Sequence, residues 1–167
     1  MEINLNKQVA IVTGSSSGIG QAIAISLAKS GAIVIVNHSS EKSKPEAEDT
    51  LKTIETNGGK GFIIQCDVSK EDQVQAMFAT TIERYGTVDI LINNAGLQQD
   101  AAFVGMTLAQ WQKVIDVNLT GQFLCSREAI REFLKRGMND KSKALGKIIN
   151  ISSVHETIPW AGHANYA

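Results

Sequence analysis

Several residue types are scarce in this chain of 167 residues, and each scarcity excludes a class of protein. The only cysteines, Cys66 and Cys125, have neither a CxxC nor a metal-type spacing, so we expect no disulfide framework and no metal. Thiols without such a framework are typical of a reducing compartment, which predicts a cytoplasmic protein. Positive charge is not in excess either, because the chain has 16 Lys and Arg residues and 17 Asp and Glu residues. Nucleic acid is therefore not an expected partner.

Long apolar runs are also missing. No run approaches the roughly 20 residues that a membrane-spanning helix needs. Residues 1–6 have neither the positively charged region nor the apolar region of a signal peptide. We therefore expect no membrane association. With 43% hydrophobic residues, the chain has the composition of an ordinary globular protein, and its length predicts one domain over residues 1–167.

Short apolar runs alternate with helical periodicity along the chain. The predicted strands are Val9–Val12, Ile33–Val36, Gly61–Gln65, Ile90–Asn93 and Lys147–Ile151. Each is nearly continuous in apolar residues, as in strands that are covered on both faces. This order predicts an α/β fold, a doubly wound parallel sheet of the Rossmann type that stops after its fifth strand.

Helical segments fill the gaps between these strands. We place them from about Ile19 to before Gly31, from near Pro45 to Gly58, from Ser69 to Gly86, and from Thr107 to about Arg136 with room for a break. Ser69 followed by Asp72 is typical of a capping box, and Gln110 three residues after Thr107 marks another helix start.

A glycine-rich turn follows the first strand directly. Its sequence is Thr13-Gly14-Ser15-Ser16-Ser17-Gly18-Ile19-Gly20, and a helix begins at once. Gly14 permits a tight turn, Gly18 leaves room for a pyrophosphate, and Gly20 permits close packing of the helix. A plain Gly/Ser turn is the alternative. The spacing GxxxGxG, with no lysine after Gly20, disfavours a kinase or GTPase phosphate loop.

Two further motifs follow the third and fourth strands. Asp67-Val68 comes after the third strand, and Asn93-Asn94-Ala95-Gly96 comes after the fourth. The small residues Ala95 and Gly96 allow a ligand to approach the backbone, while the two asparagines supply amides that tie the strand end to its neighbours. Taken alone, the tetrapeptide is also compatible with an ordinary Asx turn.

Together these motifs resemble the short-chain dehydrogenase/reductase family, whose members are NAD(P)-dependent oxidoreductases of alcohols and carbonyls. The resemblance implies that the cofactor contacts the glycine turn, the DV pair and the end of the fourth strand. The candidate cofactor-binding residues are Gly14, Ser16, Ser17, Gly18, Ile19, Gly20, Asn37, His38, Asp67, Val68, Asn94, Ala95 and Gly96.

Catalytic roles are implied by the same resemblance. Ser153, thirteen residues before Tyr166, matches the serine that hydrogen-bonds the substrate oxygen, and this spacing decides against Ser152. Tyr166 matches the general acid/base. Asn118 matches an asparagine that supports a water in a proton relay, with a hydrogen-bonded core asparagine as the alternative.

The choice of cofactor depends on the end of the second strand. An acidic residue there favours NAD, because its carboxylate accepts from both ribose hydroxyls and repels a 2′-phosphate. Here Asn37 and His38 stand in its place, and Lys42 and Lys44 follow. We therefore expect NADP, or use of both cofactors.

The family motif continues from its tyrosine to a lysine four residues later, but this sequence ends at Ala167. A phenol with the ordinary pKa near 10 is only about one part in a thousand ionised at pH 7. We therefore expect a fragment of a longer protein, inactive by itself, with its fifth strand as an exposed sheet edge.

The stretch from Ser152 to Trp160 resembles the bacterial glucose 1-dehydrogenase branch, which implies a small sugar substrate contacted by Ser153 and His155. His155 and Glu156 lie just beyond the serine and can both hydrogen-bond a polyol, with loop residues held by their neighbours as the alternative. Residues 162–166 also resemble the 3-oxoacyl carrier-protein reductase branch, and an inert dinucleotide-binding module is a third possibility.

Related enzymes are dimers or tetramers, so we expect a homo-oligomer in the complete protein. The candidate interface residues, which could equally be core, are Trp111, Phe123, Leu124 and Phe133.

Overall fold

The computed structural model describes residues 4–166. Ala167 lies outside the described residues, as do the first three residues of the segment 1–6 for which no signal peptide was predicted. The strands are β1 (Val9–Val12), β2 (Ile33–His38), β3 (Lys60–Gln65), β4 (Ile90–Asn93) and β5 (Lys147–Asn150). The helices are α1 (Gly18–Lys29), α2 (Lys44–Thr56), α3 (Glu71–Tyr85), α4 (Leu108–Ile115) and α5 (Gly121–Arg136). Short 3₁₀ turns cover Glu41–Ser43, Phe103–Gly105 and Val154–Glu156.

The five strands form one parallel sheet in the order β3-β2-β1-β4-β5. The chain moves outward from β1 through β2 to β3, and then returns to place β4 on the other side of β1. The switch point therefore lies between the carboxyl ends of β1 and β4, which is where ligands bind in open α/β sheets. The predicted fold class is confirmed.

Two apolar layers cover the faces of this sheet, and β1 contributes to both. Val9 and Ile11 belong to the core under α3 and α5, whereas Ala10 and Val12 belong to the core under α1 and α2. All four are almost inaccessible to solvent. Because side chains alternate along a strand, a continuous apolar run is what a strand covered on both sides requires.

Several predicted boundaries need correction. β2 continues two residues beyond Val36, because Asn37 and His38 still pair with β3. β3 begins at Lys60 and is only half-buried as an edge strand, so it is not covered on both faces as predicted. β5 ends at Asn150, one residue earlier than predicted, and Ile149 is half-exposed.

One of the two predicted caps is present. Thr107 caps α4 through a complete capping box with Gln110. The box predicted at Ser69 and Asp72 is wrong, because α3 begins after Lys70 and the Ser69 hydroxyl donates instead to Asp67. An aspartate two residues upstream offered this serine a closer acceptor.

The break expected between Thr107 and Arg136 is a π-helical turn at Asp116–Thr120, which joins α4 to α5. Of the four candidate interface residues, Leu124 and Phe133 belong to the buried core, whereas Trp111 and Phe123 are 39% and 58% exposed. Within residues 4–166, the longest apolar helical stretch is still too short or too polar to cross a membrane.

Candidate active site

Two adjoining cavities open at the carboxyl edge of the sheet. The first, here called the glycine cavity, has a volume of about 670 Å³ and is bordered by the turn after β1, the end of β2 and the DV pair. The second, the tyrosine cavity, has about 500 Å³ and contains Asn118, Ser153 and Tyr166 in its lining. The two share Ile19 and residues 94–97, so they form one cleft across the switch point.

The glycine turn packs directly against the end of β4. Gly14 has a φ of 61°, and a Cβ there would lie 2.9 Å from the Cα of Ala95. A Cβ on Gly20 would lie 2.5 Å from the Gly14 carbonyl oxygen and would also overlap the Asn94 amide. Both glycines are therefore required by close approach, as the sequence predicted for Gly20.

The start of α1 suits an anion. Ser17 occupies the N-cap position without a side-chain cap bond, and the first turn holds no acidic residue. The first backbone N–H groups of a helix have no partner within the helix and carry partial positive charge. Ser16, Ser17 and Ile19 line the cavity here, and the space beside Gly18 is open. These residues fit the phosphates of a dinucleotide.

Asn37 is locked inside the protein. It is 1% exposed, its Oδ1 accepts from the Gly14 N–H at 2.9 Å, and its Nδ2 donates to the Cys66 carbonyl at 3.0 Å. The amide thus fixes the glycine turn to β2 and β3. His38 is also buried, with Nδ1 2.9 Å from the Ser40 carbonyl oxygen. Both residues line the glycine cavity, but their ring and amide groups already have protein partners.

The end of β4 is tied to its neighbours by both asparagines. Asn94 donates through Nδ2 to the carbonyls of Thr13 and Gly14, at 2.9 and 3.1 Å. Asn93 donates to Ser126 and Asn150, both at 2.9 Å. These amides hold β1, β4, β5 and α5 in fixed relation, and they leave Ala95 and Gly96 facing both cavities.

Asp67 and Val68 border the glycine cavity on the β3 side. Burial by itself would raise the pKa of the Asp67 carboxyl, but hydrogen bonds from Ser69 and the nearby Lys113 and Lys70 lower that pKa overall. The carboxylate is thus held in its ionised form beside the cavity.

Asn118 lies in the π-helical turn and forms a two-way amide contact with Leu97. Its Oδ1 accepts from the Leu97 N–H and its Nδ2 donates to the Leu97 carbonyl, both at 2.9 Å. The side chain therefore holds the segment after β4 while it lines the tyrosine cavity. The contacts that Asn118 makes with Leu97 are those of a hydrogen-bonded structural asparagine, the alternative to a role in a proton relay.

Ser153 is oriented by the turn that follows it. The Ser153 Oγ accepts from the backbone N–H of His155 at 3.2 Å. One lone pair of the hydroxyl is thus occupied, which leaves its O–H free to donate into the cavity that also contains Tyr166. Ser152 instead donates to the Glu156 carboxylate.

His155 does not belong to the lining of the tyrosine cavity among the described residues, whereas Glu156 does. The His155 ring stacks on Trp160 with centroids 4.3 Å apart, and its Nδ1 lies 3.0 Å from the Ile158 carbonyl oxygen. The His163 ring also stacks on Trp160, with centroids 3.4 Å apart. The three rings therefore brace the loop that carries Ser153 and Tyr166.

Two groups near the cleft escaped the sequence prediction. Asn165 is 6% exposed and donates to the carbonyls of Gln99 and Gln110, at 3.0 and 3.2 Å. His163, equally buried, has Nε2 3.1 Å from Asp100. Glu156, which the sequence offered as a possible polyol contact, forms part of the cavity lining. The position of Asn165 directly before Tyr166 was the only available signal.

Comparison with known proteins gives a consistent result. The sequence profile of the short chain dehydrogenase family matches residues 8–167. Glucose 1-dehydrogenase 2 of Bacillus subtilis is 42% identical over 165 residues, which are 98% of this chain and 61% of that protein. The chain therefore spans about three-fifths of the length of this curated relative.

Two solved structures superpose on nearly the whole chain. A short-chain type dehydrogenase/reductase from Mycobacterium marinum has a TM-score of 0.89 and 30% identity, covering 99% of this chain and 64% of its own. A Sinorhizobium meliloti protein described as a short-chain alcohol dehydrogenase has a TM-score of 0.88 and 28% identity, covering 99% and 62%.

Proposed function

This chain belongs to the short-chain dehydrogenase family, and we propose that it carries the cofactor site and part of the catalytic site of an enzyme that interconverts secondary alcohols and carbonyls. One observation carries the proposal. Ser153 and Tyr166 line a single cavity that joins the glycine cavity through Ala95 and Gly96. A dinucleotide with its phosphates at α1 would therefore extend toward both hydroxyls.

Each catalytic side chain has a role that its contacts support. The free O–H of Ser153 donates to the substrate oxygen and stabilises negative charge as it develops there. Tyr166 exchanges the proton of the substrate hydroxyl as general acid/base. A bound nicotinamide would supply or accept the hydride at the substrate carbon. Asn118 keeps the segment after β4 in place beside the reacting groups.

We propose NADP, or use of both cofactors. The proposal is supported by the absence of an acid at residues 37–40, where a carboxylate would repel a 2′-phosphate. Asn37 and His38 are buried, so the hydroxyls that would meet this phosphate are those of Ser39, Ser40 and Ser43, which line the glycine cavity together with the carboxylate of Glu46. In the adenine region, Asp67 and Val68 would lie beside the base.

The proposed substrate is a small sugar such as glucose, in line with the name of the Bacillus subtilis relative. A 3-oxoacyl reductase remains the second candidate, since the segment before Tyr166 resembles that branch.

The exposed Trp111 and Phe123 favour a homo-oligomer. Cys66 and Cys125 are free thiols, which supports a cytoplasmic location.

The chain spans about three-fifths of the length of its Bacillus subtilis relative, so the test of function uses the protein produced from its natural gene. We expect Ser153→Ala to lower kcat at least a hundredfold, in line with loss of an oxyanion donor, with the Kd of NADPH unchanged. Tyr166→Phe should lower kcat at least as much.

Two matched variants serve as controls. Ser26→Ala removes an exposed hydroxyl on α1, and Tyr85→Phe removes the other phenol of the chain. Both should keep kcat within a factor of two. A Ser153→Ala enzyme with kcat reduced less than threefold would show that the serine has no role in the reaction. Cofactor binding without turnover of any alcohol or carbonyl would instead support the inert dinucleotide-binding module.

A further inference from the structure

A single side chain with a formal charge, Glu156, lines the tyrosine cavity as the described residues define it. Its neighbours in that lining include the hydroxyls of Ser152 and Ser153 and the amides of Gln98 and Gln122. Building on the proposed function, we infer that Glu156 determines substrate specificity by accepting hydrogen bonds from a second hydroxyl of a neutral polyhydroxy substrate.

The position of Glu156 is fixed by the same turn that orients Ser153. The backbone N–H of Glu156 donates to the Ser153 carbonyl at 3.1 Å, which closes the 3₁₀ turn Val154–Glu156. The Ser152 hydroxyl then donates to Oε2 of the carboxylate. Carboxylate and catalytic serine are thus held at a constant separation, so a substrate that contacts one is aligned against the other.

The carboxylate and the two cavity amides still have hydrogen-bonding groups available for a ligand. Only Oε2 of Glu156 has a partner among residues 4–166, and the side chains of Gln98 and Gln122 make no hydrogen bonds within the same residues. A carboxylate accepts but does not donate, whereas each amide does both. This set matches adjacent hydroxyl groups, which donate to the carboxylate and exchange hydrogen bonds with the amides.

The carboxylate also excludes one class of substrate. An anion placed in the cavity would meet the like charge of Glu156 at short range, which is unfavourable where water is displaced. A substrate with one hydroxyl would leave Oε1 of the carboxylate without a partner, and sites that match a hydroxyl discriminate strongly against analogues that lack it. Glu156 thereby favours neutral polyols over uronic acids and simple alcohols.

The position of His155 is consistent with this assignment. The sequence offered both His155 and Glu156 as polyol contacts, but the ring of His155 packs on Trp160 and stays out of the cavity lining. Of the two, Glu156 is the residue whose side chain lines the cavity.

The test compares wild type with Glu156→Gln, which keeps the size of the side chain and removes its charge. The control is Glu83→Gln, the same change at an exposed position of α3. For each protein, kcat and KM are measured with glucose, glucuronate and cyclohexanol, and the Kd of NADPH is measured by fluorescence. Thermal unfolding identifies loss of fold.

We expect Glu156→Gln to raise KM for glucose at least tenfold and to shift the ratio of kcat/KM for glucuronate over glucose at least tenfold toward the anion. Turnover of cyclohexanol and the Kd of NADPH should stay within twofold, as should every parameter of Glu83→Gln. An active wild type whose substrate ratios do not respond to Glu156→Gln overturns the inference alone. So does a wild type that prefers glucuronate or cyclohexanol. A wild type that turns over no alcohol or carbonyl overturns the proposed function and the inference with it.

Discussion

Replacing Gly20 with alanine sets two opposed effects against each other. In a helix interior, alanine is more favourable than glycine by about 1 kcal/mol. At residue 20, however, the new methyl would lie 2.5 Å from the Gly14 carbonyl oxygen, where an ordinary van der Waals contact needs at least 3.4 Å. Because that oxygen belongs to the backbone of a tight turn, α1 itself must move.

The magnitude follows from what the movement disturbs. Overpacking of this kind costs roughly 1–3 kcal/mol. Displacing the Asn94 amide also weakens its bonds to Thr13 and Gly14, each worth about 1 kcal/mol. These costs exceed the gain in helix propensity, so we expect Gly20→Ala to lower the free energy of unfolding by about 2 kcal/mol.

Urea denaturation followed by circular dichroism measures this change, and titration of NADPH fluorescence measures the accompanying loss of cofactor affinity. The matched control is Gly105→Ala, since a Cβ at residue 105 would meet no atom within 4 Å and φ there is not in the left-handed region. The control should be neutral or slightly stabilising. If Gly20→Ala proves as stable as its control, the close approach of α1 to the turn does not constrain residue 20.

Further changes test other parts of the structure. Because the folded-state pKa of Asp67 is lowered, its carboxylate stabilises the fold at neutral pH and loses this effect as pH falls below about 4; the stability difference between wild type and Asp67→Asn should therefore vanish in acid. Burial raises the pKa of both Cys66 and Cys125 to about 12, so at pH 8 both thiols should resist a disulfide reagent until urea unfolds the chain, and rapid labelling of either in the native protein would contradict their burial. Asn165→Ala leaves two carbonyls without their donor and should cost about 1–3 kcal/mol, whereas Asn57→Ala, at an exposed amide, should change stability by about 0.5 kcal/mol or less; equal effects would show that the contacts of Asn165 are dispensable.

The sheet and the glycine turn are the parts of this protein that its sequence predicted well. β1 and β4 have the predicted boundaries, because a buried parallel strand requires a continuous apolar run that local sequence displays. Strand ends that depend on a neighbour were predicted less well. β2 extends to His38 only because β3 continues beside it, and residues 37–38 are polar.

In the candidate site, too, residues marked by local spacing were predicted well, and contacts that depend on other segments were not. Gly14 and Gly20 were identified from spacing, and the structure supplies the contacts that make a side chain impossible there. The role of Asn37 in fixing the glycine turn could not be predicted, because its partners lie in the turn after β1 and after β3. The cap at Ser69 was predicted wrongly for a similar reason, since a nearby carboxylate competed for the hydroxyl.

By itself, then, the sequence determined the order of strands and helices and the place of the glycine turn, because each is written in local pattern or spacing. Ser153 and Tyr166 were predicted as a pair from the family resemblance. Only the tertiary structure decided which side chains face the cleft. It turned His155 onto Trp160, left Glu156 in the cavity lining, and fastened Asn165 to a segment more than fifty residues away. Such choices depend on which groups find partners once distant segments pack together, and no local pattern encodes them.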